Sequence, residues 1–183
     1  KSYQMKPALT LFLLMFFTSV FSQADEFKAP DYKQIEKNVK DKNSPYYFKT
    51  LFERYSKADT TMTTEERRHL YYGYSYQKEF SPYEQSDAQE ELNAILQKKD
   101  SNNKDLEELI KVSAKVLEHY PFSIRLKEYR VYALKELGRL KEAEKEMAQA
   151  GIIIDAILST GDGTTTTFQL VRRYASGGVI DVR

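Results

Sequence analysis

The stretch Tyr132 to Ala150, YALKELGRLKEAEKEMAQA, restricts the possible folds more than any other part of this chain. Apolar and small residues recur at helical intervals on both sides of Gly138. A lone glycine between two such runs marks a tight turn. The segment therefore predicts the end of one helix, a reversal at Gly138, and the start of a second helix. The same periodicity runs through the rest of the chain. Phe48, Leu51, Phe52 and Tyr55 form one stripe, and Leu70, Tyr71 and Tyr74 another. Leu92, Ile95 and Leu96 form a third, and Leu106, Leu109, Ile110, Val116, Leu117 and Tyr120 the longest, which Pro121 ends. Tyr129, Ala133, Leu134 and Leu137 follow, then Leu140, Ala143, Met147, Ala150, Ile154 and Ile157. No alternating pattern suited to a strand occurs before residue 160.

Start signals agree with these stripes. Thr63 and Glu66 make a capping box, as do Ser86 and Gln89. Ser44-Pro45 reads as an N-cap with proline at the first helical position. Connections are short, so consecutive helices are expected to pack antiparallel, as helical hairpins. Gly138, Ala143, Met147 and Ala150 occupy the positions of a tetratricopeptide unit's turn glycine, small residue, large apolar residue and second small residue. His69, Tyr72, Gly73 and Tyr76 fall on the first-helix spacing of the same motif, matching it at the glycine and the last tyrosine. Glycine there lets a paired helix approach closely. Glu79 to Gln85 reads as an insertion. The expected fold is all-α: six or so helices in antiparallel hairpins, an irregular tetratricopeptide-like array over residues 25–158.

The two ends differ from this body. Lys1 and Lys6 precede the apolar run ALTLFLLMFFTSVF, and small residues follow at Ser22 and Ala24. That order predicts a signal peptide over residues 1–24, and hence a periplasmic or secreted protein. The run is shorter than the roughly 20 apolar residues of a bilayer-spanning helix, so no stable membrane anchor is expected. The chain has no cysteine, which excludes disulfides and thiolate chemistry. Its formal charge of +1 becomes −1 once Lys1 and Lys6 are removed, so electrostatics favour neither nucleic acid nor an anionic membrane as partner. Residues 159–183 form a third segment. Gly161-Asp162-Gly163 stops the last helix, and an atypical tail with Gly177-Gly178 follows, read as unstructured.

Four segments carry a family resemblance: SPYYFKTLFERYSKADTTMTTEERRHLYYGYSYQ from Ser44, SPY from Ser81, LKELGRLKEAE from Leu134, and ILSTGDGT from Ile157. Together they resemble an uncharacterised family of exported Bacteroidetes proteins, the domain of unknown function numbered 4919, over roughly Asp31 to Thr164. The resemblance implies a helical exported protein and supplies no catalytic residue. It also implies an apolar, strand-like continuation past GDGT; Phe168 fits its start, and QLVRRYASGGVIDVR does not.

Eight of the fourteen tyrosines lie between Tyr46 and Tyr83, a density that suits either core packing or a binding surface. Tyr55, Tyr71 and Tyr74 lie on apolar stripes and are expected in the core. Tyr46, Tyr72, Tyr76 and Tyr83 lie off them and are the candidate binding residues, for a protein or peptide partner or a glycan. The alternative is a small hydrolytic or metal-dependent enzyme of the cell envelope. Its parts would be Glu66 with His69, spaced like a helical metal-binding pair, or the Asp162 loop. The chain has two histidines, and neither HExxH nor GxSxG occurs, so no metal, cofactor or catalytic residue is assigned. A binding module is the favoured reading.

Overall fold

A computed structural model of the chain describes residues 29–81, 87–98 and 102–161. The expected signal peptide, Tyr83, the cap at Ser86, the Asp162 loop and the tail lie outside these residues. Among the described residues the protein is all-α, with seven α-helices and no strand. They are α1 Tyr32–Lys40, α2 Phe48–Ser56, α3 Thr64–Gly73, α4 Asp87–Leu96, α5 Asn103–His119, α6 Ile124–Glu136 and α7 Leu140–Leu158. One 3-10 turn, Tyr74–Tyr76, prolongs α3, so the helical spacing read from His69 to Tyr76 tightens after Gly73.

Local chemistry sets most boundaries. The Thr63–Glu66 capping box opens α3, and a second box, Asn102 with Asp105, opens α5. Pro121 stops α5 at His119, and Ser123 caps α6. At the end of α6 the Gly138 amide bonds Lys135 O at 3.0 Å and the Arg139 amide bonds Leu134 O at 2.8 Å. This Schellman pair requires the left-handed φ of 73° that Gly138 adopts. Ser44-Pro45 does not open α2, which begins at Phe48 behind Tyr47. The Ser44 hydroxyl and carbonyl instead accept the Tyr46 and Tyr47 amides, each at 3.1 Å, and close a turn that brings Tyr46 inward.

The helices build two apolar cores that share α7. In the first, Leu92 and Ile95 of α4, Leu109, Val112 and Val116 of α5, and Ala133 and Leu134 of α6 surround Ala143. In the second, Leu51 and Tyr55 of α2, Met62, and Leu70 of α3 enclose Ile152 and Ile153. The last helix thus packs on its neighbour α6 and also on α2 and α3, far away in sequence. A linear repeat array confines each unit's contacts to its neighbours. Here the chain closes on itself. The stripe expected on α7 divides accordingly. Ala143 and Ala150 are buried, whereas Leu140 and Met147 face solvent.

Between the cores lies a polar seam. The Lys127 ammonium of α6, only 4% exposed, donates to Glu146 Oε2 at 3.0 Å and Gln149 Oε1 at 2.7 Å on α7. Arg130 Nε holds Glu146 Oε1 at 2.7 Å, and its guanidinium also reaches Ile110 O and the Ser113 hydroxyl of α5. Gln149 Nε2 donates to the Tyr55 and Ser56 carbonyls, the last turn of α2. Burial pushes the Glu146 carboxyl up, but Lys127 and Arg130 outweigh it and hold the group below its ordinary range. Burial pushes the Lys127 ammonium down, and Glu146 only partly restores it.

Two predictions follow from this packing. An added Cβ at Gly73 would lie 2.5 Å from Val39 Cγ1, so α3 touches α1 there by backbone. Gly73→Ala should lower stability by about 1–3 kcal/mol, with partial recovery on adding Val39→Ala. Gly151→Ala, with nothing within 4 Å, should instead raise stability by up to about 1 kcal/mol. Urea unfolding measures all three. At the seam, Glu146→Gln strands two buried cations and should cost about 3–5 kcal/mol at neutral pH. Because the folded pKa is depressed, this contribution is fully present above about pH 4.3, the unfolded value, and disappears as pH falls through the folded value. The gap between wild type and variant should therefore narrow progressively as pH falls below about 4.

Candidate functional site

Where the two cores meet, an open cleft of about 520 Å³ cuts into the surface. Its walls are Tyr32 from α1, Tyr71 and Tyr72 from α3, Tyr74 and Ser75 from the 3-10 turn, Phe80, and Tyr120, Phe122 and Ser123 from the α5–α6 link. Seven of these nine side chains are aromatic and none is charged, so the surface on offer is ring faces and edges. The rings brace one another. Tyr72 meets Tyr71 edge-on at 5.0 Å and Tyr32 at 5.8 Å. Tyr74 meets Phe122 at 5.2 Å and Phe80 at 5.5 Å, both edge-on. Edge-to-face pairs of this kind add about 0.5–1.5 kcal/mol beyond their buried area.

The seam holds the cleft floor in place. Tyr55, stacked beneath Lys127, donates its hydroxyl to Pro121 O at 2.9 Å and meets the Phe122 ring at 5.1 Å. The α5–α6 link is thereby fixed against α2. Burial raises the Tyr55 phenol far above its ordinary range, so it remains a donor throughout the working pH range. On the opposite wall, Tyr72 bonds the Thr160 hydroxyl, and burial raises its phenol as well. Arg68 bonds the Ser159 hydroxyl and carbonyl, and Arg67 pairs with Asp155. The segment RRHLYYG of α3 thus clasps the segment ILSTG at the end of α7.

Several polar side chains of the cleft are already engaged. The Tyr74 hydroxyl donates to His119 O at 3.1 Å, and Ser75 Oγ donates to Tyr72 O at 2.8 Å. Ser123 Oγ accepts the Leu126 amide as an N-cap. The site can therefore hold a molecule mainly by ring contact and shape.

Of the candidate tyrosines, the structure puts Tyr72 on the cleft wall. Tyr76 lies outside it, under Lys40 and bonded to Tyr32 O, the backbone of a cleft residue. Tyr46 is also outside, stacked on His69 at 4.1 Å. Tyr71 and Tyr74, expected in the core, are half-buried and line the cleft. Tyr32, Phe80 and Phe122 carry no signal in the sequence, because each stands outside a helical stripe, and Tyr120 reads there only as the end of the longest stripe.

Glu66 and His69 do not converge. Glu66 closes the α3 capping box and pairs with Arg54. Burial pushes its carboxyl up, but the Thr63 bonds and Arg54 prevail and hold it low. His69 is buried, with Nδ1 donating to Glu65 O at 2.8 Å and Nε2 accepting from Asn38 at 3.0 Å. Both ring nitrogens are engaged, and this histidine is a core residue, not a surface residue or cap. Among the described residues no group of three or more His, Asp or Glu side chains is placed to hold a metal ion. No described helix is long and apolar enough to cross a membrane.

A model of one protein family, a domain of unknown function (DUF4919), matches residues 33–173. The chain belongs to that family. The DUF4919 region takes in every cleft residue except Tyr32, which immediately precedes it. No curated protein and no solved structure matches the chain.

Tyr72 ties one cleft wall to the end of α7 by a side-chain pair. Tyr72→Phe should therefore lower stability by about 1 kcal/mol. Tyr76→Phe, losing a longer and exposed bond, should stay within about 0.5 kcal/mol of wild type. Thermal melting of both variants checks the contrast.

Proposed function

We propose that this protein is an exported binding module, a closed variant of a tetratricopeptide-like array of antiparallel helical hairpins. Its aromatic cleft receives an extended segment of a protein or peptide partner. The observation that carries this reading is the cleft itself: seven rings, no charged side chain, and Tyr74, Ser75 and Ser123 already hydrogen-bonded. A ligand rich in hydroxyls would meet no charged or amide side chain there, and each hydroxyl left without a partner would cost about 1–3 kcal/mol. An extended peptide with proline rings fits better. It lays flat apolar surface on the tyrosines and keeps its backbone carbonyls in water. That argument ranks peptide above glycan. Export is supported by the basic, apolar and small-residue order of residues 1–24, and N-terminal sequencing of the native protein tests it.

The chain has no tryptophan, so its emission comes from its tyrosines, five of which line the cleft. Titration with a polyproline peptide should quench that emission and saturate, while a soluble oligosaccharide should not. Tyr32 and Phe80 are exposed at the rim. Tyr32→Ala and Phe80→Ala should each weaken peptide binding about tenfold, or about 1.4 kcal/mol, while stability falls by no more than the roughly 0.5–1.5 kcal/mol of the lost ring pair. Saturable binding of the oligosaccharide alone would reverse the ranking. Peptide binding untouched by both variants would remove the cleft from the account.

A further inference from the structure

The last helix is apolar on two opposite sides. Its inner side bears Ile152, Ile153 and Ala156, all buried. At about 100° per residue, Leu140, Met147, Gly151, Ile154 and Leu158 fall within about 40° of a single line on the outer side. Leu140 is 59% exposed, Met147 49% and Leu158 40%. Gly151 has open space where a side chain would stand. Exposed apolar residues scattered singly need no explanation. A line of them along five turns does, because a helix closing a stack of helices ordinarily turns a polar face outward.

We propose that this outer face of α7 packs against α7 of a second copy of the chain, antiparallel and about a two-fold axis at Gln149. The reason is the symmetry of the stripe. From Leu140 to Met147, Gly151 and Leu158 the intervals are seven, four and seven residues, the same from either end. A two-fold interface must be self-complementary in this sense. In that register Met147 enters the open space at Gly151 of the second copy, and Leu140 meets Leu158. Ile154 rests on the methylene stem of Glu144. The charges fit this direction. Lys141 and Asp155 occupy one flank of the stripe; antiparallel packing keeps like flanks on the same side and sets each near the other's counterpart, whereas parallel packing carries them to opposite sides of the interface. A single helix face is smaller than the roughly 1,200 Å² of a stable interface, so the dimer forms with rising concentration rather than permanently.

Sedimentation equilibrium of the mature chain tests this. The wild type should show a monomer–dimer equilibrium. Met147→Glu and Gly151→Leu, which charge the stripe and fill its gap, should each weaken dimerisation at least tenfold. Melting of the dilute proteins should not fall. The absence of native cysteine allows the register to be read directly. A mixture of Leu140→Cys and Leu158→Cys chains should form an inter-chain disulfide, and Leu140→Cys alone should not, its two positions being about 27 Å apart along the axis. A wild type that stays monomeric overturns the proposal. So does a dimer that survives both substitutions, or a Leu140→Cys protein that cross-links to itself. Monomeric wild type with melting lowered by Met147→Glu would mean that the chain covers this face with its own residues, and would also overturn it.

Discussion

The clasp of Lys127, Arg130 and Glu146 over Gln149 is the interaction on which the rest of this structure depends. It stands where α6, α7 and the last turn of α2 converge, between two apolar cores too small to be independent. Each core alone resembles the interior of a very small domain, and such interiors rarely hold more than a few kcal/mol of stability. Sharing α7 joins them. An ionic seam at such a junction is a poor source of net stability, because desolvation offsets most of the attraction. It does fix geometry. Glu146 can satisfy both cations only if α6 and α7 hold one register, and Gln149 reaches the α2 carbonyls only in that register. A wholly apolar seam would permit sliding.

The cleft follows from this fixed register. Tyr55 carries the constraint outward, from Lys127 above its ring to Pro121 O at its hydroxyl, and so sets the α5–α6 link and Phe122. The opposite wall is set by α3, whose Arg68 and Tyr72 grip the end of α7. The same helix therefore positions both sides of the cleft without lining it. Sites between two packed units are common places for ligands, since walls from separate elements leave a gap that neither core fills. Rings pre-braced by edge-to-face contacts lose little freedom when a ligand arrives, which favours affinity from a small contact area. The outer stripe of α7 faces away from its core side, so self-association would leave the seam undisturbed.

Much of the scaffold was legible because it is local chemistry. Thr63 with Glu66, Gly138 and Pro121 act through their own neighbours, and each marks a boundary where expected. Gly73 was legible as a close approach, though not that Val39 of α1 would be the group approached. The Ser44-Pro45 pair misled because serine closes a turn with the same hydroxyl it would use to cap a helix. The α7 stripe misled for another reason. Its residues span one arc of about 100°, of which the edge with Ala143 and Ala150 is covered and the edge with Leu140 and Met147 is not, and the polar Gln149 and Glu146 lie on the inner side where an apolar residue is sought. The cleft was the least legible part. Its walls come from four separate segments brought together by the tertiary fold, and only the tyrosine density around α3 pointed toward it. Tyr71 and Tyr74 lie on an apolar stripe and yet border the cleft; for Tyr74 the 3-10 turn after Gly73 rotates the chain.

Native-state amide hydrogen exchange tests the central claim most directly, that the two cores are one cooperative unit bound through α7 and its polar seam. Leu51 of α2 and Ala133 of α6 lie in different cores and are both fully buried. Their amides should exchange with one common opening free energy, equal to that of global unfolding, and should fall together as denaturant is added. If one core opened at a distinctly lower free energy while the other stayed protected, the seam would not join them and the account would be contradicted.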